Sequence, residues 1–355
     1  MINIDLKTKL ICSEISTDTP VFIVAEIGCN FEGDIGRARE MIQTSAKAGV
    51  DAVKFQTFIP EKLASKHAEK FWEIKGCPGD TALEEFKLLP QLTKEEYKEL
   101  KEVAEKEDIL FFSSPEDESS FEMLNEIGMP MWKISSMNIT HKPLIDLCAS
   151  TRQPIILSTG ASTIAEIAQA LQWIEATGNT DISILHCISN YPTLDENVNL
   201  KMIQHIKSCF PDYIVGYSDH TIPTDGEGII ASAVALGARI IEKHFTFDNK
   251  RPGYDHAISA DYEGIKRIVA QIHRVEKALG KEYKQPTESE HKARVHARRS
   301  IVAANNIPKG TVITRKMLDI KRPGTGIEPE FLDVVVEREA RTDISEDTVL
   351  QWNMI

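Results

Sequence analysis

Short apolar runs that end in polar residues recur eight times between Val21 and Phe245: VFIVAEIG (21–28), AVKFQTF (52–58), ILFFSSP (109–115), MWKISS (131–136), PIILSTG (154–160), SILHCIS (183–189), IVGYSDH (214–220) and RIIEKHF (239–245). Each starts apolar without alternation, as expected of a strand buried on both faces. Amphipathic segments fill the gaps. Ile164, Ile167, Ala168, Leu171 and Ile174 fall at helical spacing, and KEEYKELKEVAEKED (94–108) predicts a second helix. Pro192, Pro223, Gly33 and Gly160 punctuate turns after strands. Eight βα repeats specify an α/β fold, a closed parallel (β/α)8 TIM barrel. Such a barrel carries its functional groups at the C-terminal strand ends, where the polar residues of these runs fall.

A last long helix is predicted at about 261–280, followed by the polar stretch KEYKQPTESEHK (281–292). Beyond it come short β-prone pieces and turns with almost no helical period. The expected organisation is a barrel over 1–283, a linker over 284–292 and a small β-rich domain over 293–355. So short a domain cannot build a large core, and it is expected to lean on a neighbour.

With 355 residues, 42% of them hydrophobic, the chain can bury a full barrel core. Its net charge of −13 argues against nucleic acid or an anionic membrane as a standing partner, since both need a basic surface. An anionic substrate would therefore need its own local cluster of Lys and Arg. Cys12, Cys29, Cys77, Cys148, Cys187 and Cys209 show no close paired spacing, so neither a zinc knot nor a disulfide framework is indicated. The N-terminal stretch MINIDLKTKLICSE carries acids where a leader would need an apolar run, and no later run approaches membrane-spanning length. A cytoplasmic protein is expected.

The most informative chemistry lies in Ser218-Asp219-His220 and Glu242-Lys243-His244, which close two successive runs. Side chains alternate faces along a strand, so Ser218 and His220 share one face, as do Glu242 and His244. Two imidazoles and a carboxylate thus converge, a set that suits a divalent transition metal with positions left open for water or substrate. A single His near a strand end is more often a hydrogen-bonded structural residue; the pairing at equivalent strand ends favours a metal. Asp219 and Lys243 point the other way and read as packing or ion-pair residues. The remaining inward positions are Glu26, Lys54 with Gln56, Ser114, Lys133 with Ser136, Ser158, and Ser189 with Tyr191 just beyond. Lys54, Lys133 and the hydroxyls read as a cationic, donor-rich pocket for a phosphate together with a carboxylate. The alternative for Lys54 is an ion pair with Glu26. Glu26 is the best candidate for a base acting on water.

Ten ordered segments carry a more specific resemblance: EIGCNFEG (26–33), VKFQTF (53–58), KISS (133–136), LSTGAS (157–162), LHCISNYPT (185–193), GYSDHT (216–221), EKHF (242–245), RPGYDHAIS (251–259), RRSIVA (298–303) and KRPGTGI (321–327). Over essentially its whole length the chain resembles the sialic acid synthase (N-acetylneuraminate synthase) family, including a C-terminal antifreeze-like domain. The resemblance implies condensation of phosphoenolpyruvate with an N-acylated hexosamine aldehyde and water, giving a nine-carbon 2-keto-3-deoxy sugar acid and phosphate. It implies a divalent ion, manganese or magnesium, on His220 and His244, and Glu26 handling the water that adds at C2 of phosphoenolpyruvate. It also implies that Lys54, Lys133, Ser136, Ser158, Ser189 and Ser218 hold phosphoenolpyruvate, while Gln56, Tyr191, Asp255 and Arg322 face the sugar. Arg322 would act across a domain-swapped homodimer. The sequence departs from the family at Phe31, where His is common, at Glu116, where an aromatic is usual, at Asn138, which replaces a frequent Glu, and at Ser189, which replaces an Asn. These departures bear on the sugar; Glu116 and Asn138, near its expected end of the site, predict a modified one, such as a 6-deoxy diacetamido sugar, over plain N-acetylmannosamine. Two other readings are a metal-dependent pyruvate aldolase, which would need no phosphate pocket, and a carbohydrate-binding protein with an inert barrel.

Overall fold

The computed structural model describes residues 20–70, 80–224, 228–281 and 283–355. The N-terminal stretch 1–14, Cys12 and Cys77 lie outside the described residues. The chain divides into two units, Met1–Gly280 and Lys281–Ile355.

All eight predicted runs form strands: β1 Phe22–Glu26, β2 Ala52–Thr57, β3 Leu110–Pro115, β4 Trp132–Ile134, β5 Ile155–Ser158, β6 Ile182–Cys187, β7 Ile214–Asp219 and β8 Ile240–His244. They pair in parallel in the order β3-β2-β1-β8-β7-β6-β5-β4. β3 and β4, the two ends of that order, pack against each other, so the barrel is nearly closed.

Alternation of side chains explains both the core and the site. On the inward parity Phe22, Val24, Ala52, Leu110, Phe112, Met131, Ile156, Leu185, Ile214 and Ile240 form one buried apolar cluster that plugs the barrel. The next inward positions toward the C-terminal strand ends are Glu26, Lys54, Ser114, Lys133, Ser158, Ser218 and Glu242, all buried. The barrel is therefore an apolar plug under a polar floor. Gly216 belongs to the inward face of β7, and a Cβ there would lie 2.4 Å from Leu185 Cδ2 and 2.5 Å from the Ile240 carbonyl oxygen. Only glycine lets these layers interlock.

Outward positions such as Ile23, Val53, Phe55 and Ile184 join a second cluster with the surrounding helices. The helix Ile164–Ala176 starts at Thr163 with a capping box to Glu166 and buries Ile167, Ala170, Leu171 and Ile174; Ala168, placed on that face from spacing alone, is only half-buried. Lys94–Lys106 repeats the device with Thr93 and Glu96. Each fully buried Ile or Leu on these faces contributes about 1.5–3 kcal/mol against exposure. Among the described residues no helix is long and apolar enough to cross a membrane.

In the second unit β9 Ser300–Ala303 pairs antiparallel with β10 Leu318–Lys321. Eleven buried apolar residues, among them Ile301, Ile313, Ile327 and Leu350, make a core of its own. Its short β pieces converge on one small centre although no long helix contributes. The polar stretch after Gly280 is not wholly extended either. It holds a 3-10 turn at Glu288–Glu290 and a helix at His291–His296, begun by Thr287 and Glu290 capping each other.

Candidate active site

The register of the barrel brings the charged residues together. Glu26 lies level with Lys54 on one side and with His244 on the other, and Ser218 lies level with Glu242. A cavity opens above them at the C-terminal strand ends. Its wall contains Glu26, Lys54, Gln56, Lys133, Ser136, Ser158, Ser189, Tyr191, Ser218, His220 and His244, together with Ser114, Glu116, Ser135, Met137, Cys187 and Glu242. Of the thirteen residues assigned from sequence, eleven thus share one cavity. Asp255 lines an adjoining cavity that shares Gln56, Glu116, Ser135, Met137 and Tyr191 with the first. Arg322 lies in the second unit and is exposed.

Both lysines are already paired. Lys54 Nζ is 2.7 Å from Glu26 Oε2, donates to Ser114 Oγ at 3.3 Å and lies 3.9 Å from Glu242 Oε1. Lys133 Nζ donates to both Glu242 oxygens at 3.0 Å, and Ser218 Oγ donates to Glu242 Oε1 at 3.1 Å. Two expectations change. The ion pair offered as the alternative for Lys54 is present, and Glu242 spends its oxygens on Lys133 and Ser218 instead of joining the imidazoles. With two lysines against Glu26, Glu116 and Glu242, the wall is not the cationic pocket expected; it is charge-balanced or slightly negative. The sequence showed the parity of Glu242 but not its partner, because β4 and β8 are 109 residues apart at that contact.

The electrostatics follow from burial opposed by these pairs. Burial pushes the Glu26 carboxyl above its ordinary value despite Lys54 alongside it. Burial pulls the same way on Glu242, but Lys133 and Lys54 overcome it and hold this carboxyl at about 2. Glu26 is the more basic of the two.

The imidazoles are neutral. Burial depresses His220 to about 4, and burial together with the neighbouring His220 holds His244 well below the usual range. The His244 Nδ1 contact to Asp255 Oδ2 at 3.4 Å is therefore not an ion pair. Asp255 itself is raised to about 7, by burial first and by Glu26 second. The two imidazole rings lie 5.5 Å apart, and Tyr191 stacks on His220 at 4.2 Å. His220 Nδ1 donates to the Ile188 carbonyl at 2.7 Å, which leaves its Nε2 lone pair free, as in metal-binding histidines whose other ring nitrogen is tied to a carbonyl.

These observations fit a divalent cation. Two buried neutral imidazoles converge, His244 Nδ1 and Ser158 Oγ are buried without a hydrogen-bond partner among the described residues, and the wall lacks positive charge for an anionic substrate. Among the described residues no group of three or more His, Cys, Asp or Glu side chains is arranged to hold an ion, so the two imidazoles would share it with water or substrate.

Three features were missed from sequence. Asn30 Nδ2 donates to the Phe245 carbonyl and to Ser259 Oγ, both at 2.9 Å, while its Oδ1 accepts from the Asp255 amide at 3.1 Å, tying the loop that bears Asp255 to the end of β1. Glu116 and Asn138, noted only as separate departures, are bonded to one another at 2.6 Å. Gly160 makes room for the hydroxyls, since a Cβ there would lie 2.1 Å from Ser189 Oγ and 2.9 Å from Ser136 Oγ. Phe31, another departure from the family, packs in the core against Phe55 at 5.9 Å and lines neither cavity.

A model of the NeuB family matches residues 41–284, and a model of the SAF domain matches 298–355. The chain is 45% identical over 336 residues to an uncharacterized protein of Methanocaldococcus jannaschii, with 94% of each chain covered. It is 37% identical to the N,N'-diacetyllegionaminic acid synthase of Legionella pneumophila, again over 94% of each. Its structure superposes on that of the N-acetylneuraminic acid (sialic acid) synthetase from Leptospira borgpetersenii with a TM-score of 0.70 and 35% identity, covering 77% of this chain and 90% of that one.

Proposed function

The chain belongs to the NeuB family and is a transferase of the sialic acid synthase type, and from that premise we propose that it joins phosphoenolpyruvate to an N-acylated hexosamine aldehyde in the cytoplasm. The products are a nine-carbon 2-keto-3-deoxy sugar acid and inorganic phosphate. One observation carries this reading: a carboxylate of raised basicity, two lysines, a set of hydroxyls and two neutral imidazoles line a single cavity at the C-terminal end of the barrel.

Lys54, Lys133, Ser136, Ser158, Ser189 and Ser218 hold the phosphate and carboxylate of phosphoenolpyruvate. The unpartnered Ser158 hydroxyl supports this, because a buried hydroxyl left without a partner costs about 1–3 kcal/mol unless a ligand satisfies it. C3 of the enol forms a bond to the aldehyde carbon, and the aldehyde oxygen takes up a proton. Water adds at C2, and Glu26 accepts its proton. The resulting C2 centre collapses: the C2–O bond to phosphorus breaks, phosphate leaves, and the second water proton is lost as the ketone forms. His220 and His244 would hold a divalent ion, manganese or magnesium, which when bound polarises the aldehyde oxygen as a Lewis acid. Gln56, which donates to Glu26 Oε1 at 2.9 Å, fixes the base and reaches the sugar together with Tyr191 and Asp255.

Release of inorganic phosphate tests the reading. It should require phosphoenolpyruvate and an N-acyl amino sugar together, and pyruvate should not substitute. Condensation with pyruvate would instead favour the aldolase, and sugar binding without any turnover would favour the binding protein.

Arg322 is assigned to the sugar of a partner's barrel in a domain-swapped homodimer, on the family resemblance of KRPGTGI (321–327). Mixing Glu26→Ala subunits with Arg322→Ala subunits separates this from action within one chain. If the lids are exchanged, half of randomly mixed dimers are hybrids with one wholly intact site each, so about a quarter of full activity should return. No recovery after exchange verified by mass would reject the trans arrangement.

A further inference from the structure

Asp255 occupies the N-cap of the 3-10 turn His256–Ile258, where an acid ordinarily accepts from the first backbone N–H groups, yet its side chain makes no such bond. The carboxyl is turned the other way, with Oδ2 3.4 Å from His244 Nδ1, and it lines the outer cavity. Among the described residues no hydrogen bond reaches it. A side chain with no partner of its own can be placed only through its backbone.

That backbone is held on both sides. The Asp255 amide donates to Asn30 Oδ1 at 3.1 Å, and the Asp255 carbonyl accepts from Ser259 Oγ at 2.6 Å. Ser259 Oγ in turn accepts from Asn30 Nδ2 at 2.9 Å, and the second Nδ2 hydrogen goes to the Phe245 carbonyl at 2.9 Å. The side-chain amide of Asn30 has one orientation, because the Phe245 carbonyl must accept and the Asp255 N–H must donate. Asn30 is itself fixed just beyond β1, its N–H donating to the Ile27 carbonyl at 2.9 Å. Both Asn30 and Ser259 are buried, so water does not compete for these bonds. The residues before Asp255 show what the clamp resists: Gly253 and Tyr254 have positive φ, 84° and 48°. A left-handed Tyr is strained, and it persists where the surrounding structure holds it.

Resting on the synthase reading of the site, we propose that Asn30, with Ser259 as its relay, is a positioning residue for the reaction: it fixes the backbone of Asp255 and so keeps that carboxyl turned toward His244. Neither Asn30 nor Ser259 lines a cavity wall with Asp255, so both act through Asp255 and not on a substrate.

The test is a double-mutant cycle in the full chain with manganese present, using whichever N-acyl amino sugar the chain turns over fastest. Asn30→Ala should lower kcat/KM for the sugar by about tenfold to a hundredfold, the usual effect of displacing a site group by about 1 Å, while KM for phosphoenolpyruvate stays within about twofold. Asp255→Ala should lose at least as much. Adding Asn30→Ala to it should cost no more than about twofold further, since the group that Asn30 places is gone. Ser259→Ala should show a smaller loss that likewise vanishes beside Asp255→Ala, and it carries the cycle if Asn30→Ala fails to fold. Amide hydrogen exchange over 251–259, read by mass spectrometry, follows the clamp without turnover: it should quicken in either variant while exchange in the barrel strands is unchanged. Losses that multiply with that of Asp255→Ala, full rate in Asn30→Ala, or unchanged exchange over 251–259 would each overturn the proposal. Faster exchange confined to that loop, in a chain that releases no phosphate with any sugar, would support the clamp and count against the synthase reading alone.

Discussion

His244→Ala, and separately the removal of divalent ions by chelation, should each abolish turnover, by about 10³-fold or more, while the protein keeps a cooperative unfolding transition. The size follows from what is lost: charge stabilisation worth several kcal/mol, at roughly 1.4 kcal/mol for each tenfold in rate. His244 is buried beside His220 and Tyr191, and among the described residues its Nδ1 finds no hydrogen bond. A purely structural histidine would be expected to satisfy that nitrogen, and its truncation would cost stability more than rate. Adding back manganese or magnesium should restore the chelated wild type but not the variant. Full activity in metal-free buffer would sink this assignment, and a loss of rate in step with a loss of folded protein would make His244 structural.

Asp219→Ala should destabilise the barrel by about 3–5 kcal/mol, the usual cost of leaving a buried charge without its partner. Asp219 and Lys243 face away from the cavity and pair with each other, each about 1% exposed. Tyr217 donates to Asp219 at 2.7 Å and Thr221 at 2.9 Å, and Lys243 also donates to the Thr221 carbonyl at 2.6 Å. Burial alone would raise the Asp219 carboxyl, but Lys243 and these donors hold it below the ordinary value. Because its folded pKa is depressed, its contribution is present above the unfolded value near pH 4 and is lost as pH falls through the folded one. Denaturant unfolding of Asp219→Ala should show the loss, and adding Lys243→Met should recover part of it by removing the stranded ammonium. A change within about 1 kcal/mol would show that water reaches the pair and that burial does not set its weight.

The fold was legible because its signal is local. Eight apolar runs and the spacing of Ile167, Leu171 and Ile174 depend on neighbours in the chain, and strand parity alone placed Glu26, Lys54, Lys133, His220 and His244 on the inward face. What parity cannot give is which inward residues touch. Whether Lys133 reaches a substrate anion or Glu242 depends on how far the barrel shears between β4 and β8, a property of the closed ring and not of either strand. The same limit hid the Glu116–Asn138 bond and the three contacts of Asn30. Phe31, noted only as a departure from the family, fills the core beside Phe55, a placement its position in the sequence did not show. The centre of the second domain was not visible because its eleven residues, scattered through short pieces, carry no period.

Phosphoenolpyruvate labelled with 18O at the oxygen bridging C2 and phosphorus puts the central claim to its most direct test. If Glu26 directs water to C2 and the C2–O bond breaks, the phosphate released in the presence of an N-acyl amino sugar carries the label, and none is released when the sugar is left out. Unlabelled phosphate would mean attack at phosphorus, and release without the sugar would mean simple hydrolysis; either result would contradict the account.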